Sequence, residues 1–409
     1  MEGTTAILNL IILKLNKAVK DEAVENIRMI TERAYLRSPS IHVGMKAEIT
    51  GAFSDEQFLD AVQKTCIRHP LLRSTIKINK TREAYYALNS SREIEVSFFQ
   101  YTGPDQWILW YEDSDKRPFD FENGPLLRLV VFRNKESSIV VILGHHILGD
   151  GLAYLYLVRD LLGFLNGESN DTVLYPSVIN EKTSLPRAAK PNWLSRFLIQ
   201  RLNTAWKKNK KIFTNADYYT FFEEYRSKNH PGLYLNSSGK EETRAFVARC
   251  HDMHISMNEA ILTAFLYAIQ KCDKKHTGKP LEVGVAINVR KELVPPVGEC
   301  MGNFVSGILV KAAYNYKKSF LENAKENREI LKTKIENVHT KFAALNFLLA
   351  LDPDLIDSIC FAEYGNYDNS ISKKVANILG ERSSNKGIGV TNLGRIDIEY
   401  QNQKYVYHQ

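Results

Sequence analysis

The sequence has few of the residues that staple small secreted domains. Its 409 residues contain five cysteines, Cys66, Cys250, Cys272, Cys300 and Cys360, an odd number with no Cys-x-x-Cys pair. That argues against a disulfide framework and a zinc site, and for a reducing compartment, the cytoplasm. Neither G-x-x-x-x-G-K-S/T nor G-x-G-x-x-G occurs, so phosphate loops of those types are absent. No G-x-S-x-G elbow occurs, which leaves a serine hydrolase of that kind unsupported. No stretch reaches the roughly 20 apolar residues a membrane-spanning helix needs. The opening run Ala6 to Leu13 is short and broken by Asn9. It has no basic n-region or small-residue cleavage site, so no signal peptide is expected. Internal repeats and low-complexity tracts are also missing. Net charge is a modest +7. With no dense basic block interleaved with aromatics, nucleic acid is not an expected partner, whereas an acidic substrate or a membrane surface suits the charge.

What is there is an alternation of strand and helix signals over a length that favours two domains. "SIHVGMKAEITGAF" alternates and predicts a strand over about Ile41 to Ile49. "SDEQFLDAVQKTCIRHP" predicts a helix capped by Ser54 and ended by Pro70, with Phe58, Leu59, Val62 and Cys66 at helical spacing. "LLRSTIKIN" returns to strand. "LLRLVVFR" and "SSIVVILG" predict two strands around the polar turn "NKES", followed by a helix over Leu152 to Leu165. Further on, "MNEAILTAFLYAIQKC" reads as a buried helix and "LEVGVAINVR" and "FVSGILVKAAY" as strands. "SFLENAKENREILKTKIENVHTKF" reads as a long polar helix, and "GIGVTNLGRIDIEY" as a strand pair around a turn. Strands and helices mix in both halves, which predicts two similar α/β lobes.

Between the halves, residues 166–215 begin as a Pro-, Ser-, Asn- and Gly-bearing stretch with little periodicity, read as a linker. Its continuation, residues 193–213, places Trp193, Phe197, Leu198, Leu202 and Trp206 on one helical face, among arginines and lysines with no acid between them. A basic amphipathic helix with tryptophans suits peripheral contact with a membrane. A helix packed on the domain surface with snorkelling lysines fits the same pattern.

The residues that could carry chemistry lie in "GHHILGDG". His145, His146, Asp150 and Gly151 sit where a strand should end and a helix begin. A histidine on such a loop titrates near neutral pH and can serve as a general base. Asp150 could pair with a cation, and Gly151 would permit close backbone approach or an unusual dihedral. The spacing equally suits a polar turn with Asp150 as the helix N-cap. A metal site is disfavoured, because adjacent strand residues point to opposite faces and no further ligand set completes the pair.

"HHILGDG" resembles the H-H-x-x-x-D-G signature of the condensation-domain superfamily, which includes nonribosomal peptide condensation domains, stand-alone alcohol acyltransferases, polyketide-associated acyltransferases and chloramphenicol acetyltransferase. "IRHPLLRSTI", "RPFDFENGPLLRLVVF", "INVRKEL", "MGNFVSGILV" and "VTNLGRI" are similar to further segments of that superfamily and fall in its order. The resemblance implies an α/β (α+β sandwich) fold of two chloramphenicol-acetyltransferase-like lobes in a V with a central tunnel. The lobes are expected at 1–165 and 216–409, joined by the linker at 166–215. The chain stops at Gln409, soon after "TNLGRI", where family members continue through another strand and a final helix. A shortened second lobe or a fragment is therefore expected.

The resemblance also assigns roles. His146 matches the catalytic base and His145 a supporting residue. Asp150 would pair with an arginine of the other lobe, for which Arg290 in "INVR" is the match; a solvated strand-end arginine is the plainer reading. Asn303 in "MGNF" and Asn392 in "VTNLG" match segments near the tunnel, or are buried turn asparagines. The expected activity is that of a stand-alone, monomeric acyltransferase. It would move an acyl group from an acyl-CoA or a carrier protein's phosphopantetheine thioester, the co-substrate, to a hydroxyl or amine acceptor, with no bound cofactor or metal. An amide-forming condensation enzyme and a non-catalytic carrier-binding module are the alternatives.

Overall fold

The computed structural model describes residues 26–88, 93–170, 172–230, 232–272, 279–380, 388–396 and 406–408. The Ala6 to Leu13 run and part of the final expected strand pair lie outside them.

Among the described residues the chain is a mixed α/β fold built on three sheets. The largest centres on β7 (Ser137–His145), paired antiparallel with β2 (His42–Thr50) and β6 (Leu127–Arg133). β5 (Glu95–Gln100) adds parallel to β6, and β11 (Val406–His408) adds antiparallel to β2. β6 and β7 are buried on both faces, which is why their sequences are nearly continuous apolar runs. A second sheet joins β1 (Asn26–Met29), β4 (Ala84–Ala87) and β3 (Thr75–Ile78). A third, in the second half, joins β10 (Ile388–Val390), β8 (Leu281–Asn288) and β9 (Val305–Ala312).

The helices of the first half are α1 (Arg33–Leu36), α2 (Asp55–Arg68), α3 (Gln106–Asp115) and α4 (Gly151–Leu165). α5 (Trp193–Lys208), α6 (Asn215–Lys228), α7 (Lys240–Asp252) and α8 (Met257–Cys272) follow. The last are α9 (Phe320–Glu336), α10 (Val338–Lys341), α11 (Ala343–Leu348), α12 (Pro353–Glu363) and α13 (Ser370–Leu379). Ser54 caps α2 in a reciprocal box with Gln57. That helix buries Phe58, Ala61, Val62, Thr65 and Cys66, whereas Leu59, grouped with them in the sequence, sits at the edge of that face and is exposed. α8 is buried on one face only: Leu262 and Leu266 are in the core and Phe265 and Tyr267 face out. Of "GIGVTNLGRIDIEY", Ile388–Val390 forms a strand and residues 391–396 do not.

α5 ends at Lys208, short of the expected Phe213. It buries Ile199, Leu202 and Trp206 against α11, α12 and α13, while Trp193 and Phe197 stay exposed. Phe213 instead stacks on Phe361, with ring centroids 4.0 Å apart. Both belong to the core of the large sheet, as do Tyr218, Phe221 and Phe222 of α6. The irregular stretch before α5 also contributes core residues: Ile179, Leu185 and Ala189 pack with Val289, Leu293, Phe304 and Phe342.

Candidate active site

Strand β7 ends at His145, paired with His42, and the next residue opens a tight turn, His146 to Leu148, that leads into α4. Such a turn is buried here, so its carbonyls need partners. Two buried tyrosines supply them. Tyr154 donates its hydroxyl to the His145 carbonyl at 3.1 Å, and Tyr86 donates to the Ile147 carbonyl at 2.6 Å.

Asp150 follows and does two things at once. Its Oδ1 accepts the Ala153 N–H at 3.0 Å, the N-cap bond of α4. Its Oδ2 accepts Arg290 Nη1 at 2.6 Å and the Phe304 N–H at 2.9 Å. The turn reading and the ion-pair reading of Asp150 therefore describe one carboxylate. Arg290 is buried, not solvated, with its guanidinium over the Phe304 ring. A buried pair of this kind is held by the extra hydrogen bonds around it, and removing one partner strands the other charge. The backbone seals the same contact: Asp150 N–H donates to the Gly302 carbonyl at 3.2 Å, and Gly149 and Gly302 form a parallel bridge. Gly302 has φ of 143°, and a Cβ there would meet the Ser177 carbonyl at 2.9 Å, so both conformation and space demand glycine. At Gly151 a Cβ would sit 2.7 Å from a methyl of Leu393, the end of a side chain that can swing aside, so neither space nor conformation demands glycine there.

The two histidines point apart, as neighbours at a strand end do. His145 is fully buried, edge-on to Phe119, Phe121 and His42. Its Nδ1 accepts the Ile147 N–H at 3.3 Å, and burial holds its pKa well below the ordinary histidine value. It is a neutral structural ring. His42 behind it shares Nδ1 with Asp115 at 2.6 Å, and Arg226 holds the other oxygen of Asp115 at 2.6 Å.

His146 is only partly enclosed. Tyr35 of α1 stacks on its ring at 4.8 Å and 13°, which fixes the plane. Asn303 Nδ2 lies 2.9 Å from His146 Nδ1, while Asn303 Oδ1 accepts the Val305 N–H at 3.3 Å. Burial lowers the pKa of His146 from the ordinary value, so the ring is neutral near pH 7. A neutral imidazole has one bare nitrogen. An amide N–H on Nδ1 leaves the proton on Nε2, and an amide carbonyl there would leave Nε2 bare. Asn303 is thus the side chain that selects which nitrogen can take a proton.

His145, His146, Asp150, Gly151, Arg290 and Asn303 are brought together. Asn392 is not: it is exposed, and its amide donates to Asn258 Oδ1 at 2.7 Å. Its neighbour Leu393 is the residue that reaches the motif, over Gly151. Val390 and Asn258 also line a cleft of about 360 Å³ with Glu259, Leu262, Val285 and Arg328.

Sequence reasoning missed Tyr35, Tyr86, Tyr154 and Glu32. Glu32 shares a helical face with Tyr35, three residues away. It is buried, takes the Thr31 hydroxyl at 3.1 Å on Oε2, and has no partner for Oε1 among the described residues. Burial raises its pKa to about 7. Helix α1 has four residues, too few for a periodic signal.

The sequence model of the Condensation domain family matches residues 30–180. Bacitracin synthase 3 of Bacillus licheniformis is 21% identical over 318 residues, which is 74% of this chain and 5% of that protein. The chain spans only 3 to 6% of the length of the curated relatives it matches. The solved condensation domain of the Monacolin K polyketide synthase MokA superposes with TM-score 0.52 at 14% identity, over 81% of this chain and 78% of that one. Polyketide synthase associated protein 5 of Mycobacterium tuberculosis gives 0.51 at 15% identity, over 78% and 76%. At such identities the likeness is one of fold.

Proposed function

We propose that this chain, which carries the condensation-domain fold and matches that family's model over residues 30–180, is a stand-alone acyltransferase. It moves an acyl group from a thioester, of coenzyme A or of a carrier's phosphopantetheine, to a hydroxyl or amine. The observation that carries this reading is the seating of His146: a neutral ring, stacked on Tyr35 and bonded to Asn303, on a loop pinned through Asp150 to Arg290.

A thioester already has a good leaving group. What the protein adds is a fixed approach of the acceptor to the carbonyl, which replaces a bimolecular encounter. His146 takes the proton at Nε2, which is bare when Nδ1 carries the ring proton and the Asn303 amide turns its oxygen to it, as the acceptor oxygen or nitrogen bonds to the carbonyl carbon. The C–S bond then breaks, and the departing thiolate receives that proton. Asn303 and Tyr35 hold the imidazole, and Asp150 with Arg290 holds the loop. A tunnel between two lobes would bring donor and acceptor from opposite faces.

The test is intact-mass detection of acyl transfer against panels of acyl-CoAs and acylated carrier proteins, with alcohols and amines as acceptors. His146→Ala is expected to lower turnover at least 10²-fold, the usual contribution of a general base, with little change in melting temperature. Full activity in that variant would remove the histidine from the mechanism. The peptide and polyketide synthetases among the relatives favour a second reading, amide formation between two carrier-bound substrates. Transfer that requires carriers on both sides would select it. Tight carrier binding with neither hydrolysis nor transfer would point instead to a non-catalytic carrier-binding module.

A further inference from the structure

From Lys182 to Ala216 the chain carries nine lysines and arginines and no aspartate or glutamate. That exceeds the net +7 of the whole protein, so the rest of the chain is slightly acidic. Among the described residues, Lys210 is the one cation of this segment with a carboxylate partner, through Asp352 and Asp354. The others face solvent and form no salt bridge among the described residues, with Lys211 near enough to Asp217 to help hold that carboxyl below its ordinary value.

Helix α5 sits in the middle of this field. Asn192 caps it through the Ser195 N–H at 2.9 Å, so the helix begins at Trp193. Its later turns are anchored by Ile199, Leu202 and Trp206 in the core with α11, α12 and α13. Its first turn is not anchored. Trp193 is 72%, Leu194 55% and Phe197 53% exposed, a contiguous apolar knob at the end of a fixed helix. Arg196 and Lys190 flank it, and Arg201 lies over the Phe197 ring.

We infer that this knob and its surrounding cations dock the protein onto an anionic membrane surface. Three large side chains more than half exposed on one helical turn would need matching pockets on a protein partner, whereas the headgroup layer of a bilayer needs none. An indole with an apolar body and one N–H is at home at that depth. Exposed lysines and arginines around it are drawn to anionic lipid. No helix of the described residues is long and apolar enough to cross a membrane; the docking inferred for this knob is peripheral.

The position has a consequence for the site. α5 packs on α12, and Asp357 of α12 holds Arg33 of α1 by two bonds of 2.7 and 2.8 Å. Tyr35 of the same short helix stacks on His146. The docking helix is thus two elements from the imidazole, and a donor or acceptor dissolved in the bilayer would be collected beside it. That last step rests on the proposed acyltransferase reading; membrane docking does not.

Flotation of the purified full chain with phosphatidylcholine vesicles, with and without phosphatidylglycerol, tests the docking. The protein is expected to float with the anionic vesicles only, and to be released by high salt. Trp193→Glu/Phe197→Glu and Arg196→Glu/Arg201→Glu, all at exposed positions, should each lose flotation while melting temperature and far-ultraviolet circular dichroism stay unchanged. Brominated lipid should quench the wild-type tryptophan emission, and Trp193→Phe should remove most of that quenching, since Trp206 and Trp107 are buried and Trp110 is partly buried against the core of the large sheet. Absence of anionic-lipid flotation would overturn the inference, as would flotation untouched by either double variant. Binding to an acidic protein without flotation would overturn it too and assign the patch to a protein partner.

Discussion

One oxygen of the Glu32 carboxyl bonds to Thr31 and the other to nothing described, in a place water does not reach. A buried carboxyl disfavours its charged form, and the rise from 4.5 to about 7 follows from that burial. The sign is definite. The folded state binds this proton more tightly than the unfolded chain, so the contribution is fully present below pH 4.5 and is lost as pH rises through about 7. Complete loss corresponds to about 3 kcal/mol. The buried imidazoles of His42, His145 and His146 act in the opposite sense: burial depresses their pKa values, so their contribution is present above the ordinary histidine value and is lost as pH falls. Wild type alone mixes the two effects, and a variant separates them. Glu32→Gln should gain on wild type progressively between pH 4.5 and 7 in urea titrations. A wild-type-minus-variant difference that stays flat with pH would show that Glu32 ionises freely.

At the scale of elements, one side chain, Asp150, both caps α4 and ties the join between β7 and α4 to Arg290. Asp150→Ala should cost about 1 kcal/mol for the lost cap and about 3–5 kcal/mol for the stranded Arg290, with the second effect dominant. Asp150→Asn keeps an oxygen for Ala153 and should lie between. Chemical denaturation checks the order, and an Asp150→Ala protein as stable as wild type would mean that Arg290 finds water. Helix α2 shows how far local rules reach: its start, first-turn acids and end were all readable from Ser54 to Pro70. Helix α5 shows where they stop. Its face of apolar residues is real, but only the part that meets α11, α12 and α13 is buried, and no spacing tells one turn from the next.

Across the whole molecule, the core of the large sheet draws on both halves. Phe213, Tyr218, Phe221, Phe222, Cys360 and Phe361 fill it together with residues of β2, β6, β7, α2 and α4, and β11 pairs at its edge. A fragment ending at residue 165 or 215 would expose that apolar surface. Residues 26–215 expressed alone should show no cooperative thermal transition, while the full chain should unfold in one. A cooperative transition in the fragment, seen by circular dichroism, would show that the first half closes its own core.

Strands β2, β6, β7, β8 and β9, the capped start of α2 and the histidine motif at a strand-to-helix join were determined by the sequence alone. Alternation, helical spacing and capping residues act over a few neighbours, and those neighbours are adjacent in the chain. Only the tertiary structure decided the rest. Arg290 meets Asp150 across 140 residues and Asn303 meets His146 across 157. The resemblance made the first pairing an expectation and placed Asn303 only near the tunnel; the geometry of both depends on how β8 and the loop before β9 seat against the start of α4. Tyr35 lies on a four-residue helix and Glu32 at its N-cap, and the role of that helix comes entirely from what it packs against. Contacts between distant segments leave no periodic trace in either segment, so a chain can announce its elements and its reactive residues while leaving unsaid what holds them in place.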